Sequence, residues 1–180
     1  DLFGFGPSGK VVGGYDFIEN DNSPIDTNGH GTEDAGIIAA EGGIKGIAPA
    51  AKILAYRVSD TGDGVPSDLI VRAIRQAVTD GANVINISLG VNRTNERIDE
   101  AINYAVKNGI VVITAAGNSG PDLRTIGSPG KDPNTITVGA TYNNITSSLV
   151  ATLQVDGKRI DVLPMAGIKP TSEPAVAEIV

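Results

Sequence analysis

The stretch Asn28-Gly29-His30-Gly31-Thr32 leads directly into Ala35-Gly36-Ile37-Ile38-Ala39-Ala40, and the rest of the chain is organised around it. It contains the only histidine of the protein. A histidine at the start of a helix, with glycines on both sides that let partner groups approach closely, is suited to act as a general base. The alternative is a histidine with a structural role alone. The small residues that follow favour the catalytic role of this histidine, because they indicate a helix that packs tightly while its first turn stays accessible.

The composition is that of a globular protein without disulfides. Hydrophobic residues make up 41% and charged residues 19% of the 180 residues, which is enough for one good core. The net charge of -7 argues against a nucleic-acid partner or an anionic membrane surface. The absence of cysteine excludes thiolate metal sites and a cysteine nucleophile but assigns no compartment. No apolar run is long enough to cross a membrane, and we interpret the first residue, Asp1, as a processed or cut end.

A glycine-rich segment at 4–9 matches the dinucleotide fingerprint G-x-G-x-x-G. That motif needs a strand before it and a helix after it, so that the pyrophosphate lies at the helix N-terminus. Here almost nothing precedes the motif, and residues 10–17 have the pattern of a strand. We therefore predict no nucleotide site and no organic cofactor.

Strand and helix patterns alternate along the next hundred residues. This rhythm predicts an α/β fold in three layers, a mostly parallel sheet with helices on both faces. The nearly continuous apolar strands at 51–58 and 110–114 are expected to be buried on both faces. Ligand sites of such sheets lie beyond the carboxyl ends of the strands, which points to 59–65, 88–90 and 115–118. Further strands are predicted at 83–89 and 135–139, and helices at 31–40, 66–80 and 95–107.

The pattern changes near Tyr142. Segments 149–155 and 158–163 flank Asp156-Gly157, which is a strong signal for a β-hairpin. We predict one domain over residues 1–141 and the start of a separate β-rich unit over 142–180.

Five segments together closely resemble the subtilisin-like serine proteases, or subtilases. The resemblance covers about Lys10 to Thr141 in the right order and spacing, and implies a subtilisin-like fold and a secreted, extracellular endopeptidase acting on polypeptide substrates. Some members carry a β-rich protease-associated insert, and the change near Tyr142 is similar to the entry into one. The segments are 28–32 (NGHGT), 46–51 (GIAPAA), 83–90 (NVINISLG), 115–118 (AAGN) and 127–130 (GSPG).

The resemblance also implies roles for individual residues. His30 resembles the general base that takes the proton of the nucleophile, and Asn118 the side-chain donor of the oxyanion hole. An extended peptide substrate would pair with the backbone of two facing segments, and small residues would line the pocket for the side chain before the cleaved bond. The pairing residues are Ser88, Leu89, Gly90, Gly62 and Gly64, and the pocket residues are Ala115, Ala116 and Gly117.

Two parts of the family pattern are absent from these 180 residues. The family's aspartate lies in an Asp-Thr/Ser-Gly strand motif upstream of the histidine, and Asp26-Thr27 lies too close to His30 to replace it. The nucleophile motif Gly-Thr-Ser-Met-Ala is also missing, and Ser119 is interpreted as a turn residue. We expect a fragment that is inactive alone, whose remaining segments lie elsewhere in the same protease or in a complementary chain. Asp34 stands where relatives commonly carry an apolar residue.

Three expectations remain open on the sequence. The acidic surplus and the oxygen-rich loop at 19–26 are compatible with structural calcium, although the spacing fits no EF-hand and a solvated loop is the alternative. A non-catalytic peptide-binding or scaffolding module on the same fold is the alternative function. An incomplete parallel sheet would expose apolar faces, so we expect the chain to associate with another chain.

Overall fold

The computed structural model of the chain describes residues 6, 8–62, 64–90, 94–120 and 122–140, and the backbone of two strands at 151–155 and 158–162. Its contacts divide the chain into two units, Asp1–Gly139 and Ala140–Val180. The elements of the first unit are β1 (Val11–Asp16), α1 (His30–Ala39), β2 (Ile53–Arg57), α2 (Ser67–Thr79), β3 (Val84–Ile87), α3 (Glu96–Lys107), β4 (Val111–Ala115) and β5 (Ile136–Val138).

All strand pairs among the described residues of the first unit are parallel. β1 pairs with β2, with Tyr15 opposite Tyr56. β3, β4 and β5 form a second sheet, in which Ile87 lies opposite Thr114 and Ala115 opposite Val138. The predicted α/β fold with parallel strands is therefore confirmed, and hydrogen bonding divides the described strands into a pair and a triplet.

The strand that follows the glycine-rich segment is present as β1. A dinucleotide site would need a helix at this place. Residues 1–5 and 7 lie outside the described part of the chain. Among the described residues, no helix is both long and apolar enough to span a bilayer.

Helices α2 and α3 cover one face of the three-stranded sheet. Asn95 is the N-cap of helix α3, and its side chain accepts a hydrogen bond from the Ile98 amide at 3.3 Å, which satisfies one free donor of the first turn. Four of its apolar residues recur at helical spacing and are fully buried, namely Ile98, Ala101, Ile102 and Ala105. The core that they form with α2, β3 and β4 comprises Ile70, Ile74, Ile87, Ile98, Ala101, Ile102, Ala105, Ile110 and Val112.

In the described part of the chain, the opposite face of this sheet is exposed. In β4, Val112 and Thr114 point to the helices and are 1% exposed, whereas Val111 is 45% exposed, so the expectation that this strand is buried on both faces is wrong. Strand β2 is likewise only half-buried along its length. For β4 the reason is that α2 and α3 both pack on the same side of the three-stranded sheet. This bare face carries four large apolar residues that are 45–57% exposed, namely Val84, Val111, Ile136 and Val138.

The second unit contains the predicted hairpin strands. β6 (Ala151–Val155) and β7 (Lys158–Val162) pair antiparallel, with Val155 opposite Lys158. The turn Asp156-Gly157 lies outside the described residues. The boundary at residue 141 and the assignment of this unit to an insert stay predictions.

Candidate active site

His30 is the first residue of α1, as the sequence predicts within one position. Gly29 precedes it as the N-cap with φ of 105°, a left-handed conformation that favours glycine. The imidazole is 62% exposed, and its Nδ1 lies 3.7 Å from a carboxylate oxygen of Asp34 one turn later. The first turn of α1 is therefore accessible, as a general base requires.

The loop before His30 is closed by the carboxylate of Asp26. One carboxylate oxygen accepts the amides of Asn28 and Gly29, both at 2.9 Å. The other accepts the amide of Thr32 at 2.8 Å and its hydroxyl at 2.7 Å. Burial by itself would raise the pKa of Asp26, but the hydrogen bonds from Gly29, Thr32 and Asn28 outweigh it and hold the pKa well below its ordinary value. The carboxylate is therefore ionised at neutral pH.

Asn28 connects His30 by hydrogen bonds to the loop that contains Gly62. Its side-chain oxygen accepts the His30 amide at 3.3 Å, and its side-chain nitrogen donates to the Thr61 carbonyl at 3.0 Å. Arg57, at the end of β2, supports the same corner by donating to the Thr27 hydroxyl at 3.1 Å. These contacts bring together the predicted base and one side of the predicted substrate cleft. Gly64 lies on the same loop, and Asp63 between the two glycines lies outside the described residues.

The ends of β3 and β4 bring the other predicted substrate residues together. Since Ile87 lies opposite Thr114, the segments 88–90 and 115–117 leave the same edge of the sheet side by side. Between them lies a shallow cavity of about 210 Å³, lined by Asn86, Ser88, Ile113, Thr114, Ala115 and Val138.

Within these segments the residues differ in what they offer a substrate. Leu89 is partly buried and packs against the core, so its backbone rather than its side chain is available. The Ser88 hydroxyl accepts a hydrogen bond from the Asn86 side chain at 2.9 Å. Ala116 donates its amide to the Val138 carbonyl at 2.8 Å, which fixes the start of the segment 116–118 against β5.

The segment 127–130 packs directly against both strand ends. A Cβ atom at Gly90 would lie 3.1 Å from the Ser128 carbonyl oxygen, and one at Gly130 would lie 2.7 Å from the Ala115 carbonyl oxygen. Only glycine permits the second approach. This gives a structural reason for the GSPG motif, to which the sequence alone assigned no role.

Gly117, Asn118 and Ser119 are exposed in the loop after β4. The structure therefore places the predicted site residues in two clusters, one around His30 and Gly62 and one at the ends of β3 and β4. The catalytic and binding roles assigned to them stay predictions. On the sequence, Asp26 belongs to the candidate calcium loop and to an imitation of the family's aspartate motif, and the cap of α1 is not predicted. The available signal was a residue type that favours caps and turns, placed just before a helix start.

The structure does not test the expectation of calcium. Among the described residues, no group of three or more acidic, histidine or cysteine side chains is arranged to hold a metal ion. In the loop at 19–26, the Asp21 carboxylate accepts the Ser23 amide at 2.8 Å. Calcium binding stays a prediction.

Most of this chain is similar in sequence to known proteins. The model of the Subtilase family matches residues 7–173. The chain is 42% identical over 139 residues to "Minor extracellular protease Vpr" of Bacillus subtilis (strain 168), covering 71% of this chain and 17% of that protein. It is 42% identical over 159 residues to "Thermitase" of Thermoactinomyces vulgaris, covering 86% of this chain and 55% of that protein.

Among solved structures, "Sphericase" matches with a TM-score of 0.67 and 36% identity, covering 88% of this chain and 55% of that chain. The chain thus spans about half the length of Thermitase and of Sphericase, and a smaller share of the Vpr protease. Because the family model matches nearly every residue, including all five motif segments, this chain belongs to the subtilase family of serine proteases.

Proposed function

We propose that this chain is part of a secreted, extracellular endopeptidase that hydrolyses peptide bonds in polypeptide substrates. The observation that carries the proposal is the setting of His30, which lies at the exposed first turn of α1. Asn28 connects this residue by hydrogen bonds to the glycine-containing loop after β2. A general base beside a loop that can pair with an extended peptide is what peptide hydrolysis needs.

In this proposal the chain supplies two groups of the catalytic machinery. His30 takes the proton of a serine nucleophile and returns it to the leaving amine. Asn118 donates a hydrogen bond to the oxygen on which negative charge develops. These 180 residues contain neither the family's motif for the nucleophilic serine nor its motif for the orienting aspartate. We therefore expect the 180-residue chain by itself to be inactive.

The substrate would lie as an extended strand between two backbone segments. Residues 88–90 would pair with it on one side, and Gly62 and Gly64 on the other. Ala115, Ala116 and Gly117 would line the pocket for the residue before the cleaved bond, because their small side chains leave room at the edge of the sheet. The adjacent positions of 88–90 and 115–117 support this arrangement.

The partner of the chain would be the remaining segments of the same protease or a complementary chain. The support is the bare face of the three-stranded sheet, where four aliphatic side chains at neighbouring register positions are about half exposed. A contiguous apolar surface of this kind marks an interaction site.

We also propose two features of the surrounding protein. Structural calcium is supported by the acidic surplus of the chain, with 21 acidic and 14 basic residues. A β-rich insert beginning near residue 142 is supported by the antiparallel pairing of β6 and β7. Calorimetric titration with calcium chloride tests the first feature.

The test of the function is an active-site serine probe applied to the natural protein. A fluorophosphonate label, intact-mass analysis and N-terminal sequencing are combined, with His30→Ala as the matched variant. A longer species that labels, while His30→Ala and the 180-residue chain do not, supports the proposal. If the natural protein has these same termini and is not labelled even when a partner chain is present, the proposal of an endopeptidase is wrong. The alternative function, a non-catalytic peptide-binding module, then takes its place.

A further inference from the structure

We propose that Asp26 is a positioning residue that fixes the backbone of His30, an inference that rests on the proposed function. The carboxylate of Asp26 accepts hydrogen bonds from residues on both sides of His30. Asn28 and Gly29 precede the histidine, and Thr32 follows it. The backbone that carries the imidazole is therefore held at three amides and one hydroxyl by a single side chain.

The need for this side chain follows from the N-cap of α1. The first amides of a helix have no partner within the helix and are usually satisfied by a side chain at the N-cap. Here the N-cap is Gly29, which makes no side-chain capping bond and has φ of 105°. Its conformation favours a residue without a Cβ, so the cap must come from elsewhere. Asp26 supplies it by accepting the Thr32 amide at 2.8 Å.

The charge of Asp26 suits the same place. An anion near a helix N-terminus is stabilised by the partial positive charge of the free amides. The four hydrogen bonds keep the carboxylate ionised, so the cap is present throughout the neutral range. The hydrogen bonds of Asp26 go to three backbone amides and to the Thr32 hydroxyl and not to the imidazole, so Asp26 acts by positioning the residues around His30.

The effect on catalysis comes from the exposure of His30. An imidazole that is 62% exposed has few packing contacts to hold it, so its position depends on the backbone beneath it. A displacement of about 1 Å in a catalytic group can cost on the order of 100-fold in rate. Loss of the Asp26 carboxylate should therefore lower kcat by about 10- to 100-fold and leave KM nearly unchanged.

The first test uses the fact that the chain has one histidine. Histidine labelled with ¹³C at Cε1 gives one signal for His30 in the 180-residue chain. In Asp26→Ala this signal should move toward that of an unstructured histidine, and the amides at 28–32 should lose protection from hydrogen exchange. Asp26→Asn keeps one acceptor oxygen and should give an intermediate result. Asp68→Ala is the matched control, because Asp68 is an exposed acidic residue in the first turn of α2 and lies outside the proposed sites.

An unchanged His30 signal and unchanged protection in Asp26→Ala would overturn the inference. Signals of Ile98, Ile102 and Val112 report whether the core is intact, so general unfolding is recognised. If Asp26→Ala unfolds the core, Asp26→Asn decides the question in the same way.

The second test uses the peptidase form of the natural protein. Asp26→Ala should lower kcat with little change in KM, Asp26→Asn should recover part of the loss, and Asp68→Ala should match the wild type. Wild-type kcat in Asp26→Ala overturns the inference but not the proposed function. Absence of hydrolysis in the wild-type protein overturns the proposed function, and the histidine signal then decides the role of Asp26 independently.

Discussion

Replacing Ile102 by alanine tests the prediction that α3 and the sheet form the core of this chain. Ile102 is 0% exposed and packs in the cluster that joins α2, α3, β3 and β4. The substitution removes three carbon atoms, worth about 0.8 kcal/mol each in transfer free energy. The cavity left behind adds to this, and buried isoleucine-to-alanine changes cost about 2–5 kcal/mol. Because Ile102 is completely buried, we expect a loss of about 3–4 kcal/mol in the free energy of unfolding.

The matched control is Ile136→Ala, which removes the same atoms from the bare face of the same sheet. Ile136 is 57% exposed, so most of its side chain gains little from folding. We expect this change to cost about 1 kcal/mol or less. Guanidinium chloride unfolding followed by circular dichroism gives both values.

Equal costs for the two substitutions would refute the reasoning, because the two faces of the sheet would then be buried alike in solution. Repeating the Ile136→Ala measurement over a range of protein concentrations identifies the cause. A cost that grows with concentration means that association covers the face, whereas a constant large cost means that the packing described for this sheet is wrong.

Three further substitutions test local features. Asn95→Ala removes the cap of α3 and should lower the unfolding free energy by about 1 kcal/mol, measured by the same denaturation. Gly14→Ala would place a Cβ 1.8 Å from the Ala55 carbonyl oxygen, so it should cost about 3 kcal/mol or more and expose the β1–β2 amides to hydrogen exchange. Burial raises the pKa of Asp16, but the Arg57 guanidinium and two backbone amides outweigh it and hold the pKa below the ordinary 3.8. The ionised carboxylate therefore stabilises the fold above that value, and this contribution is lost as the pH falls through the lower folded pKa. Thermal melts between about pH 6 and about pH 2 should show a smaller loss in Asp16→Asn than in the wild type. An equal loss in both proteins would contradict this sign.

Local patterns predicted the elements that carry the site. The spacing of Ile98, Ala101, Ile102 and Ala105 predicts the buried stripe of α3, because a helix places residues three and four apart on one face. Asp156-Gly157 predicts the β6–β7 pair in a similar way, since this dipeptide favours a tight turn. Helix α1 begins at His30, one residue before its predicted start at Gly31, because the glycine before His30 ends the loop and the small residues after it form the helix.

The properties missed in the sequence depend on groups that are distant along the chain. Val111 belongs to a continuous apolar run, and this pattern does not reveal that both neighbouring helices pack on the far side of the sheet. The hydrogen bond between Asn28 and Thr61 likewise joins two loops separated by 33 residues, and no periodic pattern in the sequence indicates it.

The sequence by itself determined the order and type of the elements, the resemblance to subtilases and the candidate base, because these depend on residue type and short-range spacing. Tertiary structure alone decided which face of the sheet is bare, how residues 88–90 and 115–117 meet, and that Asn28 bonds to the loop of Thr61. The physical reason is that burial and hydrogen bonding depend on distances between atoms in space, and the fold brings together groups that local sequence patterns do not connect.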